Sequence, residues 1–204
     1  MNTELFADLL SQTELDKIAG KNRLNQRVPE WQTFLEFAEG VFRSRDVHNP
    51  LVVEIGILDG AQRRFYERLL NATYISIDID PKAPATIHGN SGNLETLEAL
   101  KCLLNGRQID LLFIDGLHTY QGVKTDYDLY SPLVSHITAI HDILTPKNTP
   151  QDSVDVIRFW EEIKATNTED TLLTIQHHNP KPMTAFNGRP LGIGVVLKGQ
   201  QLGC

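Results

Sequence analysis

Leu51-Val-Val-Glu-Ile-Gly-Ile-Leu-Asp-Gly60 carries an apolar strand into an acid and then into two glycines separated by three residues. Glycines there let the backbone turn tightly and approach a nucleotide-like ligand, with the N-terminus of the next helix facing it. The helix follows at once, with Ala61, Phe65, Leu69 and Leu70 as its apolar positions. A second strand, Tyr74-Ile-Ser-Ile-Asp78, ends in an acid at about the 20-residue spacing that sets a carboxylate against ribose hydroxyls. Further on, Ile109-Asp-Leu-Leu-Phe-Ile-Asp-Gly-Leu-His-Thr-Tyr120 reads as a buried strand that empties into titratable groups. This succession is a nucleoside-binding, Rossmann-like plan.

Working outward, the pattern predicts strands near 51–55, 74–79, 85–88, 110–114, 137–141, 172–176 and 192–197, and helices near 61–70, 94–104, 119–131 and 153–164. Alternation of this kind implies a doubly wound, mostly parallel seven-stranded sheet with ligands bound beyond the carboxyl ends of its strands. Only a loop separates the last two strands, so they are expected to form an antiparallel hairpin at the sheet edge. Leu94, Leu97, Leu100 and Leu104 give one helix its stripe, with Asn93 as its cap and Asn105-Gly106 as its stop. Tyr120, Val123, Tyr127 and Tyr130 form a stripe that belongs to the core. Before the first strand, Pro29 opens a helix whose wide apolar face comprises Trp31, Phe34, Leu35, Ala38, Val41 and Phe42. The helical spacing of Leu5, Phe6, Leu9 and Leu10 is interrupted by the polar run Asp16 to Arg23. The segment up to Val28 reads equally as a cap over the cofactor end or as a dimerisation arm.

The 204 residues suffice for one domain with a substantial core: an N-terminal helical cap over 1–45 and a Rossmann-like core over 51–204. A formal charge of −7 with no basic run argues against nucleic acid and for a small-molecule substrate. Two cysteines, Cys102 and Cys204, are too few for a disulfide framework, and no stretch is apolar enough to span a membrane. A cytoplasmic protein is expected.

The Glu54-Ile-Gly-x-x-x-Gly60 turn, the Ile77-Asp-Ile-Asp80 strand end, and Phe113-Ile-Asp-Gly-x-His-Thr-Tyr120 with its downstream Asp126-Tyr-Asp-Leu-Tyr130 resemble the class I S-adenosylmethionine (SAM)-dependent methyltransferases. The resemblance is narrower still, to the branch of cephalosporin hydroxylase-like proteins and small-molecule O-methyltransferases. It covers roughly Leu51 to Leu197, including the Gly192-Ile-Gly-Val-Val196 ending. It implies the class I methyltransferase fold with a reversed last strand, SAM as cofactor, and methyl transfer to a small-molecule hydroxyl. A cofactor-binding or assembly module without catalysis is the alternative on the same fold.

The candidate cofactor residues are Glu54, Gly56, Asp59, Gly60, Asp78, Asn90, Ser91 and Asp115. Glu54 stands in an apolar run, where a carboxylate needs donors: either turn amides or a ligand amine. The resemblance implies the methionine end of the cofactor. Asp78 closes its strand and is preferred over Asp80-Pro81, which has the form of a turn initiator. The resemblance directs Asn90 and Ser91 to the adenine edge, whereas their own sequence also suits a turn and a helix cap. Asp115 and His118 are the candidate catalytic pair, with His118 as the base.

In metal-dependent relatives, carboxylates after the fourth and fifth strands hold a divalent ion, and Asp115 and Asp142 stand at those positions. His141 replaces an acid there, which makes Asp115, His141 and Asp142 the candidate set for Mg²⁺ or Mn²⁺. Two further departures are Gln62-Arg63-Arg64 after the second glycine, which sets two cations near the cofactor helix, and Ser135-His136 in place of Pro-Gly-Gly. His177-His178 reads as a loop, and the loops 143–152 and 178–190 are expected to border the rim.

Overall fold

The computed structural model describes residues 1–18, 24, 26–144, 155–177 and 191–199. Of the two expected rim loops, all but Ile143 and Leu144 lies outside the described residues, as do His178, Cys204 and most of the polar run before Val28. Two helices, α1 (Thr3–Ile18) and α2 (Val28–Ser44), precede β1 (Leu51–Ile55), α3 (Arg63–Leu69), β2 (Thr73–Asp78) and β3 (Ile87–His88). Then follow α4 (Leu94–Leu104), β4 (Ile109–Ile114), α5 (Tyr120–Tyr130), β5 (Val134–His141), α6 (Val156–Thr166), β6 (Thr171–Ile175) and β7 (Ile193–Leu197).

The strands form one seven-stranded sheet in the order β3-β2-β1-β4-β5-β7-β6. β1 pairs in parallel with β2 and β4, β4 with β5, and β2 with β3, while β7 runs antiparallel to both β5 and β6. The expected hairpin therefore lies at the edge, with its reversed strand inserted between β5 and β6. The strand order reverses between β1 and β4, and the crevice at such a switch point is where open α/β sheets bind ligands.

Strand alternation sorts the core into two layers. Leu51, Val53 and Ile55 join Leu112, Ile114, Tyr130, Phe159 and Trp160 on the face covered by α4, α5 and α6. Val52 joins Leu111, Phe113, Ile137 and Ala139 on the other face, under Trp31, Phe34, Phe65 and Tyr66 of α2 and α3. By the same parity Glu54 and His141 belong to the second face, beneath the α2 helix. Trp31 packs edge-on against Phe65, Tyr66 and Phe113, which fixes the N-terminal end of α2 over the ends of β1 and β4.

Differences from the sequence reading are local. β5 starts at Val134, ahead of the expected 137, since Ser135 Oγ donates to the Ile109 carbonyl at 3.0 Å and Arg45 Nη1 lies 3.0 Å from His136 Nδ1. Asn93 occupies the N-cap of α4 without a side-chain capping bond, while Asn105 ends that helix in the left-handed region as expected. Val123 and Tyr130 are buried and Tyr127 packs against Phe159, so the tyrosine stripe is core.

On β7, a Cβ at Gly194 would lie 2.7 Å from the Trp160 ring, and that indole is itself buried. Gly194→Ala is expected to lower stability by about 1–3 kcal/mol through overpacking, measured by equilibrium urea unfolding.

Candidate active site at the carboxyl ends of the central strands

The turn after β1 is shaped by its neighbour. Gly56 has φ +80°, and a Cβ there would lie 2.3 Å from the Asp115 carbonyl oxygen and 2.6 Å from Gly116 Cα. Glycine is required at 56 because the turns leaving β1 and β4 touch backbone to backbone. Gly60, with φ +75°, closes the turn against Pro84. Asp78, at the tip of β2, draws the turn toward it: Oδ2 accepts from the Ile57 and Leu58 amides at 2.8 and 3.1 Å, and Oδ1 accepts from the Asp80 amide at 2.8 Å. Asp59 sits half-buried in that turn. Asn90 Oδ1 accepts from the Gly92 amide at 2.9 Å, and the Ser91 carbonyl accepts from Tyr130 Oη at 2.8 Å. The loop after β3 is thus held by its own side chain and by α5.

Asp115 is the hub of the cluster. Its Oδ1 lies 2.9 Å from His141 Nδ1 and 3.2 Å from His118 Nε2, and its Oδ2 accepts from Gln26 Nε2 at 3.0 Å. Asp142 reaches both imidazoles, with Oδ2 3.4 Å from His118 Nε2 and Oδ1 3.5 Å from His141 Nδ1. Burial alone would raise the Asp115 pKa, but the charge of His141 and hydrogen bonds from both histidines hold it down at about 2. For His141 burial opposes protonation, yet Asp115 and Asp142 push its pKa up to about 9. His118 is raised too, chiefly by its hydrogen bond to Asp115. Asp142, raised by burial, adopts φ +62°, a strained conformation of the kind that persists where the surroundings enforce it.

One strand away, an acid meets the opposite fate. Glu54 is fully buried, Tyr74 Oη donates to its Oε2, and its Oε1 has no hydrogen-bond partner. Burial dominates and pushes its pKa up to about 8, with Tyr74 opposing and the negative charges of Asp115 and Asp78 adding to the rise. Tyr66 stacks on Tyr74 at 5.7 Å, and its own hydroxyl is buried without a partner.

The structure brings together Asp115, His118, His141 and Asp142, but it divides their roles differently from the expected ligand set. Among the described residues, the groups able to share one metal ion are Asp115, His118 and Asp142, whose ligand atoms lie within 4.8 Å of one another. His141 instead commits Nδ1 to Asp115, because it sits 4% exposed on the inner face of β5. The two arginines after the glycine turn are drawn away from it: Arg63 pairs with Glu67 at 2.8 Å and Arg64 with Asp16 at 2.6 Å. His136 lies at the other end of β5, near Asp110 and Arg45.

Two residues escaped the sequence reading. Gln26, from the segment before α2, touches Asp115. Glu30, 1% exposed in the first turn of α2, accepts the His177 and Gly192 amides at 3.1 Å each. A polar residue inside an apolar helix stripe was the available signal for Glu30; nothing local marks Gln26.

The fold is the class I methyltransferase architecture, in its sheet order and its reversed β7. Residues 53–143 match the family model described as a methyltransferase domain. Among solved structures, an O-methyltransferase from Bacillus cereus in complex with S-adenosylhomocysteine (SAH) is 16% identical, with 95% of this chain and 90% of that one covered at a TM-score of 0.60. The O-methyltransferase TomG from Streptomyces achromogenes, involved in tomaymycin synthesis and solved with SAM, is also 16% identical, with 94% and 89% covered at a TM-score of 0.63. MycE, a methyltransferase of the mycinamycin biosynthetic pathway solved with Mg and SAH, superposes at 0.53 with 16% identity. The overlap is 81% of this chain and 49% of MycE, about half that protein's length. No curated protein matches the chain in sequence.

Glu54 gives a pH signature. Its folded pKa of about 8 lies above its ordinary value of 4.5, so between those values the unfolded chain binds fewer protons than the native one. Its contribution to stability is present below pH 4.5 and is lost as pH rises toward 8. Glu54→Gln is expected to match wild type near pH 5 and to exceed it by on the order of a few kcal/mol near pH 9, in urea unfolding at each pH.

Proposed function

We propose that this protein catalyses SAM-dependent methyl transfer to a hydroxyl oxygen of a small molecule. The observation that carries this reading is the pair Asp115 and His118 at the end of β4, beside the switch-point turn and across β1 from the acid that closes β2. Asp78 Oδ2 is filled by the two turn amides, but Oδ1, which accepts only from the Asp80 amide, keeps a lone pair free to accept from a ribose hydroxyl. Ile79 and Leu117, exposed at 68% and 65%, stand immediately after Asp78 and within the Asp115–His118 turn. Large apolar side chains in those places suit the two faces of a purine. Asn90 and Ser91 supply polar groups at the neighbouring edge, and Glu54 offers an unpartnered carboxyl oxygen to the methionine ammonium.

His118 manages the proton. An ionised Asp115 only accepts, so neutral His118 carries its hydrogen on Nε2 toward Asp115 and keeps its lone pair on Nδ1. Bound SAM would supply an electrophilic methyl group with a thioether leaving group, and His118 Nδ1 would take the proton that the substrate hydroxyl gives up on transfer. The imidazolium then lies between Asp115 and Asp142, and stabilising it strengthens the base. Asp115, His118 and Asp142 also fit a divalent cation, two hard oxygens and one nitrogen within reach of each other. Such an ion supplies Lewis acidity that lowers the pKa of a bound hydroxyl. A cytoplasmic location belongs to the same reading, supported by the sparse cysteines; no helix of the described residues is long and apolar enough to cross a membrane.

Calorimetry with SAH tests the cofactor reading: wild type binds, and Asp78→Ala binds at least about tenfold more weakly after losing charge-assisted hydrogen bonds. Equal affinities would remove the ribose role. In a methyl-transfer assay with labelled SAM and a panel of phenols and sugars, His118→Ala should turn over about 10²-fold more slowly with SAH affinity unchanged. Exhaustive chelation separates the two roles of the cluster. If an ion is used, transfer stops while SAH still binds, and Asp142→Asn raises the Mn²⁺ concentration that restores it; full activity after chelation leaves the proton chemistry to His118 alone.

A further inference from the structure

We infer that Gln26, two residues before α2, is a substrate-orienting residue, which gives the active site a carbonyl acceptor for a hydroxyl of the substrate. The inference rests on the methyl-transfer reading and extends it to a residue that neither the glycine turn nor the strand ends supply. Gln26 Nε2 donates to Asp115 Oδ2 at 3.0 Å, across 89 residues of sequence. That bond fixes the amide: the nitrogen must face the carboxylate, so the oxygen faces away from it. Oε1 is then two bonds from a nitrogen that touches the central carboxylate, and it is buried with no hydrogen-bond partner. The residue as a whole is 6% exposed. A buried amide oxygen without a donor is costly, so its retention beside the Asp115 and His118 cluster points to a donor brought by a ligand.

The segment is built in from other directions too. The Arg27 carbonyl accepts from the Trp31 amide at 2.8 Å, and Trp31 is wedged among Phe34, Tyr66 and Phe113. Three residues further on than Arg27, the Glu30 carboxylate grips the amides that end β6 and begin β7. A side chain held this way arrives at Asp115 with little orientational freedom, which is what a positioning contact requires. Glutamine also suits the place chemically. Its NH₂ group satisfies the outer oxygen of Asp115, leaving Oδ1 to the histidines, and its carbonyl accepts an O–H without competing for the proton that His118 must receive. The ligand class is a compound with at least two hydroxyls near each other, one to be methylated and one to bind Gln26.

The test is calorimetry on the SAH-saturated protein with two probes, catechol as an aromatic diol and methyl glucoside as an aliphatic one. Wild type is expected to bind at least one of them. Gln26→Met, which keeps length and burial but loses both the acceptor and the donor to Asp115, should weaken that binding about fivefold or more, whereas Gln26→Glu at low pH, protonated and so carrying both an O–H donor and a carbonyl, should recover most of it. SAH affinity should stay at wild-type values in both variants, and with a turned-over diol KM should rise more than kcat falls. Equal diol affinity in Gln26→Met, or no binding of either diol to wild type, would overturn the assignment. Failure of wild type to bind SAH would instead overturn the reading beneath it.

Discussion

The turns that leave β1 and β4 are pressed together so closely that residue 56 has no room for a side chain, with a Cβ there falling 2.3 Å from the Asp115 carbonyl oxygen. That contact brings the glycine turn, tied to Asp78 through two amides, beside the backbone of Asp115 and Gly116. A cofactor-sized ligand lying on the turn therefore has Asp78 toward one end and the Asp115 cluster toward the other. The parallel pairing of β1 with β2 and β4 sets the spacing, and the reversal of strand order between β1 and β4 opens the crevice.

Two acids on adjacent strands show how the surroundings assign roles to one residue type. Asp115 is held ionised, at a pKa of about 2, by two imidazoles. Glu54, on the same buried face with only a tyrosine hydroxyl to help, is pushed up to about 8. The first is held as a negative charge between two imidazoles; the second is neutral near pH 7, with one carboxyl oxygen lacking a hydrogen-bond partner. Divergent pKa values in neighbouring carboxyls are a mark of functional sites.

Much of this was legible in the sequence because it depends on local chemistry. Strand and helix periods, the glycine turn, the acid that closes β2 and the Asp115 to His118 spacing all come from residues close together in the chain. What stayed hidden depends on distant pairing. His141 was expected beside Asp115 and Asp142, and only the parity of β5 shows its ring buried on the inner face with Nδ1 on Asp115, while His118 also comes within reach of both carboxylates. Arg63 and Arg64 looked like an obstacle to a cofactor, and their partners Glu67 and Asp16 relieve it, the second from a helix nearly fifty residues earlier. Gln26 carries no motif at all; its hydrogen bond to Asp115 spans 89 residues of sequence. The small, polar loop after β3 reads the same way in both views, with Asn90 closing its own turn.

A crystal structure of the protein with SAH bound is the most direct test of this arrangement. The expected result has the ribose hydroxyls on Asp78, the base between Ile79 and Leu117, and the homocysteine sulfur on the side of the glycine turn that faces Asp115 and His118. SAH bound elsewhere, or bound with its sulfur turned away from His118, would contradict it.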